Sequence, residues 1–399
     1  RCLVLGAGKA AGSMAVALES YAAKNWPKAQ LEGQVITRYG HALATKIIRV
    51  IEAGHPVPDE SGMKAAQETL GLLKTLRPGD HLVALISGGG SSLLTLPANG
   101  LSIDDLRLTT QALLRSGAPI GQMNVVRKHL SAILGGNLAG VAIARGARVE
   151  ALLISDVTGD SPADIASGPC AADYSTYLDA LNILQKYDLD ASAVPASVLN
   201  HLKQGLVGGI PETLKDAELV DTQVANHVIA TAYKSLEAAA GYVRTQGYEP
   251  IVLGDTITGE AQEVGIQQAA LVRDYLAKGI DRPLALISGG ECTVTIPAGV
   301  KGRGGRCSEY LLSLFAATKE VSSLAALAAD TDGIDGSEKN AGAWFDSAVR
   351  ESSQALGLMP EKFLSAHDCY GFFAQLSALV ETGPTLTNVN DFRIILLDK

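Results

Sequence analysis

Several things are scarce or missing in this chain of 399 residues, and each absence excludes a class of protein. Lys and Arg (33) are outnumbered by Asp and Glu (42), the formal net charge is -9, and no basic tract occurs. Nucleic acid and anionic membrane surfaces are therefore not expected as partners. No apolar run reaches the ~18 residues of a membrane-spanning helix, and no secretory leader is visible. The five cysteines, Cys2, Cys170, Cys292, Cys307 and Cys369, are odd in number and never spaced Cys-x-x-Cys. A disulfide framework or zinc site is not expected, and a reducing cytoplasm is the expected location. The chain opens at Arg1 without a methionine and is expected to be the ordered part of a longer protein. Familiar catalytic signatures are missing too: there is no Ser-His-Asp elbow, no His-Glu-x-x-His, no Walker A motif and no protein-kinase set.

What is present favours a large α/β enzyme. Hydrophobic residues make up 47% and charged residues 19%, and the 42 glycines suit many tight strand-to-helix turns; aromatics are only 5%. The length accommodates two or three domains. The chain is organised around residues 82–92, where five apolar residues end in Ser87-Gly88-Gly89-Gly90-Ser91-Ser92. A buried strand that opens into glycines presents bare backbone N–H groups to an anion, and in an open α/β sheet such a loop lies at the carboxyl end of its strand. A second copy of Leu-Ile-Ser-Gly-Gly ends in Ser288-Gly289-Gly290-Glu291, and two copies suggest two domains facing one cleft.

A strand at 2–5 runs into Gly6-Ala7-Gly8-Lys9-Ala10-Ala11 and a helix. This satisfies a dinucleotide fingerprint if Ala11 takes the third place, but Lys9 is unusual there, and the next strand finishes near Arg38 rather than on an acid. A lysine at the head of a helix suits a phosphoryl group; a solvated lysine beside a tight turn has the same sequence. His55 and Asp59 are polar candidates at a strand exit. Asn124, Arg127, Lys128 and Ser131 share one helical face, and a solvated charge cluster and a cleft face both fit the pattern. Asp156 follows a strand, where a metal ligand, a base or a turn cap is expected. A segment at 189–219 reads as helical, and the pattern restarts at Asp221 with a helix over 228–241. Lys301-Gly302-Arg303-Gly304-Gly305-Arg306 before a helix reads as an anion site. Asp330, Asp332 and Asp335 read as a divalent-cation loop, or as residues that shape a turn.

Phosphoryl transfer asks for positioning, Mg²⁺ and aimed cations, and this inventory offers them. Taken together, Gly6–Ala10, Gly54-His55-Pro56-Val57-Pro58-Asp59, Ser87–Ser92, Asn124–Ser131, 154–159, 165–169, 288–291, Gly304-Gly305-Arg306, 332–336 and 382–391 resemble the glycerate 2-kinase family that carries a MOFRL domain. The resemblance implies transfer of the ATP γ-phosphate to D-glycerate with Mg²⁺, usually giving 2-phosphoglycerate. It implies two α/β domains, 1–220 Rossmann-like with a mostly parallel sheet and 221–399 of MOFRL type, with the active site in the interdomain cleft. Lys9 and Arg306 resemble the family's catalytic lysine and arginine. Phosphate and substrate contacts are expected at Gly8, Ser87, Gly88, Gly89, Gly90, Ser91, Ser92, Arg127, Lys128, Ser288, Gly289, Gly290 and Glu291, and Mg²⁺ contacts at Asp156 and Asp332. A homodimer is compatible with this reading. Members are often labelled hydroxypyruvate reductase, and the fingerprint at 6–11 keeps an NAD(P)-dependent activity as the alternative. The chain departs from the family pattern at Leu134, Cys307 and Ser308.

Overall fold

In a computed structural model that describes residues 1–219, 224–297 and 299–399, the apolar run at 82–86 is the middle of a buried strand. The first sheet comprises β1 (Cys2–Ala7), β2 (Leu31–Arg38), β3 (Arg49–Ala53), β4 (His81–Ser87), β5 (Arg148–Ile154) and β6 (Val224–Ala230), in the order β3-β2-β1-β4-β5-β6. The pairs from β3 through β5 are parallel. β1 is buried at every position, because parallel strands with helices on both faces have no solvent side and their sequences read as continuous apolar runs. Leu3, Leu5, Ile36, Leu82, Ile86 and Val149 form the core of this sheet. A second cluster, including Leu113, Met123, Tyr177 and Leu202, joins the helices Ile103–Arg115, Ile120–His129, Tyr177–Lys186 and Ala196–Leu206.

The strand order fixes where a ligand binds. From β1 the chain steps outward to β2 and β3, then returns to β4 on the other side of β1. That reversal is a topological switch point, and the loops leaving β1 and β4 flank its crevice. The two glycine-rich turns singled out in the sequence are those loops.

The second sheet has the order β13-β12-β11-β14-β9-β7, with β7 (Glu249–Gly254), β9 (Leu284–Gly290), β11 (Leu324–Asp330), β12 (Gly342–Phe345), β13 (Leu379–Val380) and β14 (Asp391–Leu397). Two short strands, β8 (Gly259–Glu260) and β10 (Cys292–Thr293), pair separately. Only β7 and β9 are parallel in the larger sheet; its other pairs are antiparallel. Its core is aromatic despite the scarcity of aromatics: Phe315 meets Phe345 and Phe372 edge-on, with ring centroids 5.1 and 5.3 Å apart.

The chain forms two compact units, Arg1–Ile229 and Ala230–Lys399. The boundary expected between 220 and 221 lies outside the described residues. The helix expected over 228–241 begins only at Ala232, capped by Thr231, because Val224 and Val228 pack on the first core as part of β6. The segment expected to be helical over 189–219 is broken into Ala196–Leu206 and Asp216–Leu219, with Gly208, Gly209 and Pro211 between them. The five cysteines are buried free thiols, and among the described residues no helix is long and apolar enough to cross a membrane.

Candidate active site

Backbone contacts stitch the loops leaving β1 and β4 together. The amide of Lys9 donates to the Gly88 carbonyl at 2.9 Å, and the amide of Ala10 donates to Ser87 Oγ at 3.0 Å. Gly8 has φ 139°, and a Cβ there would lie 2.1 Å from Ser87 Oγ, so only glycine lets the loops approach. Ser87 is therefore a fastener between the loops.

Gly88, Gly89 and Gly90 each leave room for a particular neighbour. A Cβ on Gly88 would lie 1.8 Å from Asp156 Oδ2, and one on Gly89 would lie 2.8 Å from His55 Nε2 and 3.5 Å from Lys9 Cγ. Lys9, His55 and Asp156 thus converge on one glycine loop from three different strand exits. Gly89 is left-handed, at φ 80°, and caps the one-turn helix Gly90–Leu93. Ser92 Oγ donates to the Gly89 carbonyl at 3.1 Å, while Ser91 Oγ lies 2.9 Å from Ser167 Oγ. Ser167 belongs to a strained turn: Ala166, Ser167 and Gly168 have φ 51°, 58° and 59°. Consecutive left-handed residues other than glycine collect where a site must hold an unfavourable backbone.

The other first-unit candidates separate. Asp59 caps the helix Glu60–Leu73, accepting from the Gly62 amide at 2.9 Å. The face shared by Asn124, Arg127, Lys128 and Ser131 splits: Arg127 and Ser131 line a cavity of ≈ 380 Å³, whereas Lys128 is 5% exposed and pairs with buried Asp173 at 3.4 Å. Lys128, expected among the phosphate contacts, is thus turned into the interior and paired with a buried carboxylate.

In the second unit, Arg306 opens the helix Arg306–Ala317 where three neighbouring strands end. Its Nε donates to Asp391 Oδ1 at 2.8 Å and its Nη2 to Asp330 Oδ2 at 2.7 Å, while Glu291 lies 3.4 Å away. Register explains the convergence, since Asp391 stands opposite Asp330 on β11 and Gly290 on β9. Buried Arg393 donates to the other oxygen of Asp391 at 2.7 Å. Burial opposes the charge of Arg306, but Asp391, Asp330 and Glu291 outweigh it and hold the guanidinium protonated. Burial pushes Asp330 up to about 7; Arg306 pulls against this, and Asp332 adds to it.

The expected anion site at the start of this helix is filled from within. Asp335 accepts from the amides of Cys307 and Ser308 at 2.9 and 2.8 Å and from Ser308 Oγ at 2.6 Å. A Cβ on Gly305 would lie 2.3 Å from Asp335 Oδ1. Arg303 turns to Asp368, leaving Arg306 as the arginine of this loop that faces the acidic strand ends. The three aspartates of the 330–336 turn do separate work: Asp330 holds Arg306, Asp332 Oδ1 accepts from the Ile334 amide at 2.9 Å, and Asp335 caps the helix. Among the described residues no group of three or more His, Cys, Asp or Glu is arranged to hold a metal alone. Asp156 and Asp332, the expected Mg²⁺ contacts, belong to different units.

The second Leu-Ile-Ser-Gly-Gly copy is not a second open loop. Ser288, Gly289 and Gly290 belong to β9, with Gly289 opposite Phe392, and Ser288 Oγ accepts from Gln268 at 3.2 Å. Gly290 has φ 123° and lets Ile257 approach to where a Cβ would meet its carbonyl at 2.1 Å. Glu291, just beyond the strand, is the member of this set that reaches Arg306. Sequence reasoning missed Asp391 and Arg393, which read as ordinary residues of a polar loop and a strand.

Comparison with known proteins places these features. Residues 1–203 match the family model described as a domain of unknown function, DUF4147, and residues 284–391 match the MOFRL family. The chain is 46% identical over its whole length to a protein of Agrobacterium vitis named putative hydroxypyruvate reductase, covering 87% of that protein. It is 41% identical to a glycerate 2-kinase of Pyrococcus horikoshii, over 99% of this chain and 87% of that one. A crystal structure of glycerate kinase from Thermotoga maritima superposes with a TM-score of 0.88 at 36% identity, over 100% of this chain and 91% of the other.

Proposed function

The chain belongs to the family marked by a DUF4147 domain followed by a MOFRL domain, and from that premise we propose that it is a glycerate kinase. It moves the γ-phosphate of ATP to the C2 hydroxyl of D-glycerate. The observation that carries the reading is the pair of stitched loops at the switch point, where Lys9 meets the Gly88–Gly90 backbone. That arrangement offers amide donors and a cation, which is most of what phosphoryl transfer asks of a protein.

Each residue has a physical task. The amides of the 88–90 loop bind phosphate oxygens, and Lys9 stabilises charge on the transferring group. His55, beside Gly89, is placed to hold the proton of the attacking hydroxyl. Arg306, kept charged by its carboxylates, is the cation that the second unit can offer to an anionic group of a substrate. Mg²⁺ bound with a nucleotide needs only one or two protein carboxylates, and Asp156 at the lip of the Gly88 turn fits that requirement. The ion would neutralise phosphate charge there.

The test is a D-glycerate assay coupled through enolase, which consumes 2-phosphoglycerate directly and needs a mutase for the 3-isomer. Signal without mutase, dependent on ATP and Mg²⁺, is the expected result. Oxidation of NADH by hydroxypyruvate, with no ADP formed from ATP and glycerate, would replace this reading by the reductase named among the relatives.

A further inference from the structure

Resting on the kinase reading, we propose that the cavity walled by residues 56–58 and the helices Ile103–Arg115 and Ile120–His129 is the subsite for the nucleoside of the phosphoryl donor. It measures ≈ 380 Å³ and lies within the first unit, in the range of roughly 300–1,000 Å³ usual for small-molecule pockets. Its walls are mainly apolar, with Pro56 and Pro58 on one side and Leu106, Leu114, Ile120 and Met123 on the other. D-glycerate has three oxygenated carbons and no apolar face to match them. A heterocyclic base has two such faces.

The position and charge of the cavity point to the same ligand. Ser91, the last turn of the phosphate loop, is part of the lining, and Pro56 adjoins His55, which touches the same loop at Gly89. A molecule seated here therefore continues directly into the Gly88–Gly90 amides. Arg127 also lines the cavity, and its guanidinium donates to Asn124 Oδ1 at 3.3 Å, with no carboxylate paired to it among the described residues. Burial lowers its affinity for its proton, so an anionic ligand supplies the countercharge that the protein withholds. Leu114 and Ile120 are 61% and 64% exposed, apolar surface that a bound base would cover. Arg127 would hold the phosphate nearest the ribose, the base would lie between the prolines and the two helices, and the terminal phosphate would reach Lys9.

The test uses the intact protein and isothermal titration with two probes, the non-hydrolysable ATP analogue AMP-PNP and inorganic tripolyphosphate, each with Mg²⁺. Leu114→Asp and Thr110→Phe change the cavity wall at positions that are not fully buried, so both variants are expected to fold. The wild type should bind AMP-PNP at least about tenfold more tightly than tripolyphosphate. Each variant should lose at least that factor for AMP-PNP and stay within about twofold for tripolyphosphate, since about 1.4 kcal/mol corresponds to tenfold. A wild type that phosphorylates D-glycerate while both variants keep full AMP-PNP affinity overturns the subsite and leaves the kinase reading standing. A wild type that binds neither probe and transfers no phosphate overturns both.

Discussion

Lys9 and Arg306 enter the sequence argument as equals, yet their surroundings make them different experiments. Lys9 sits on a loop whose conformation is held by backbone bonds and glycines. Lys9→Ala should lower kcat/KM by about 10²–10³-fold and leave the melting temperature nearly unchanged, as steady-state kinetics beside a thermal melt would show. Arg306 neutralises Asp330 and shares Asp391, whose side chains are 6% and 0% exposed. Arg306→Ala should therefore also cost about 3–5 kcal/mol, because it strands buried carboxylates. Urea unfolding of Arg306→Ala beside Arg306→Lys tests this, with the lysine variant recovering stability but not bidentate binding.

Asp330 provides a pH signature. Its folded-state value of about 7 lies above the ordinary 3.8, so between them the native state holds a proton that the unfolded chain has lost. The associated stability is fully present below about pH 4 and is lost as pH rises through about 7. Asp330→Asn removes the titration, so its stability relative to wild type should improve from pH 5 to pH 8, read from urea midpoints. The family departures also resolve at this scale. Cys307 and Ser308 are 0% exposed, one in the core and the other bonded to the capping Asp335, while Leu134 lines the cavity beside Arg127.

At the scale of elements, what decides a glycine's role is the strand exit it occupies. Gly88–Gly90 turn the chain from β4 into a short helix, and the space left by the missing Cβ atoms is taken by Asp156, His55 and Ala166. Gly88→Ala should abolish turnover, since its methyl would overlap the Asp156 carboxylate at 1.8 Å; a fall of less than about tenfold in kcat/KM would show that this loop does not position the reacting groups. Gly289 and Gly290 carry the same local sequence but remain in a strand, because β14 pairs alongside them as far as Asp391. Local sequence suffices for the cap on the helix Ile103–Arg115: Ser102 and Asp105, three residues apart, form a capping box. It did not specify what fills the start of the helix Arg306–Ala317, since Asp335 arrives from 28 residues further along the chain.

For the whole molecule, the two units have separate cores, the first centred on β1 and β4 and the second on the phenylalanine cluster. Unfolding should then depart from a single two-state transition. Phe372→Ala, at a side chain packed against Phe315, Phe363 and Phe373, should cost about 3–5 kcal/mol and shift one calorimetric component while leaving the other in place. Equal displacement of both components would show that the units melt as one.

The amino-acid sequence by itself determined β1 to β5, the glycine turns after β1 and β4, the α/β class and the family, because apolar period and backbone permissiveness act over a few neighbouring residues. Tertiary structure alone decided which charged groups were already taken. Lys128 and Arg127 are adjacent in the chain, yet one is paired with buried Asp173 and the other opens into a cavity. The partners of Arg306 stand 24 and 85 residues away from it, and only the register of antiparallel strands brings them within hydrogen-bonding distance.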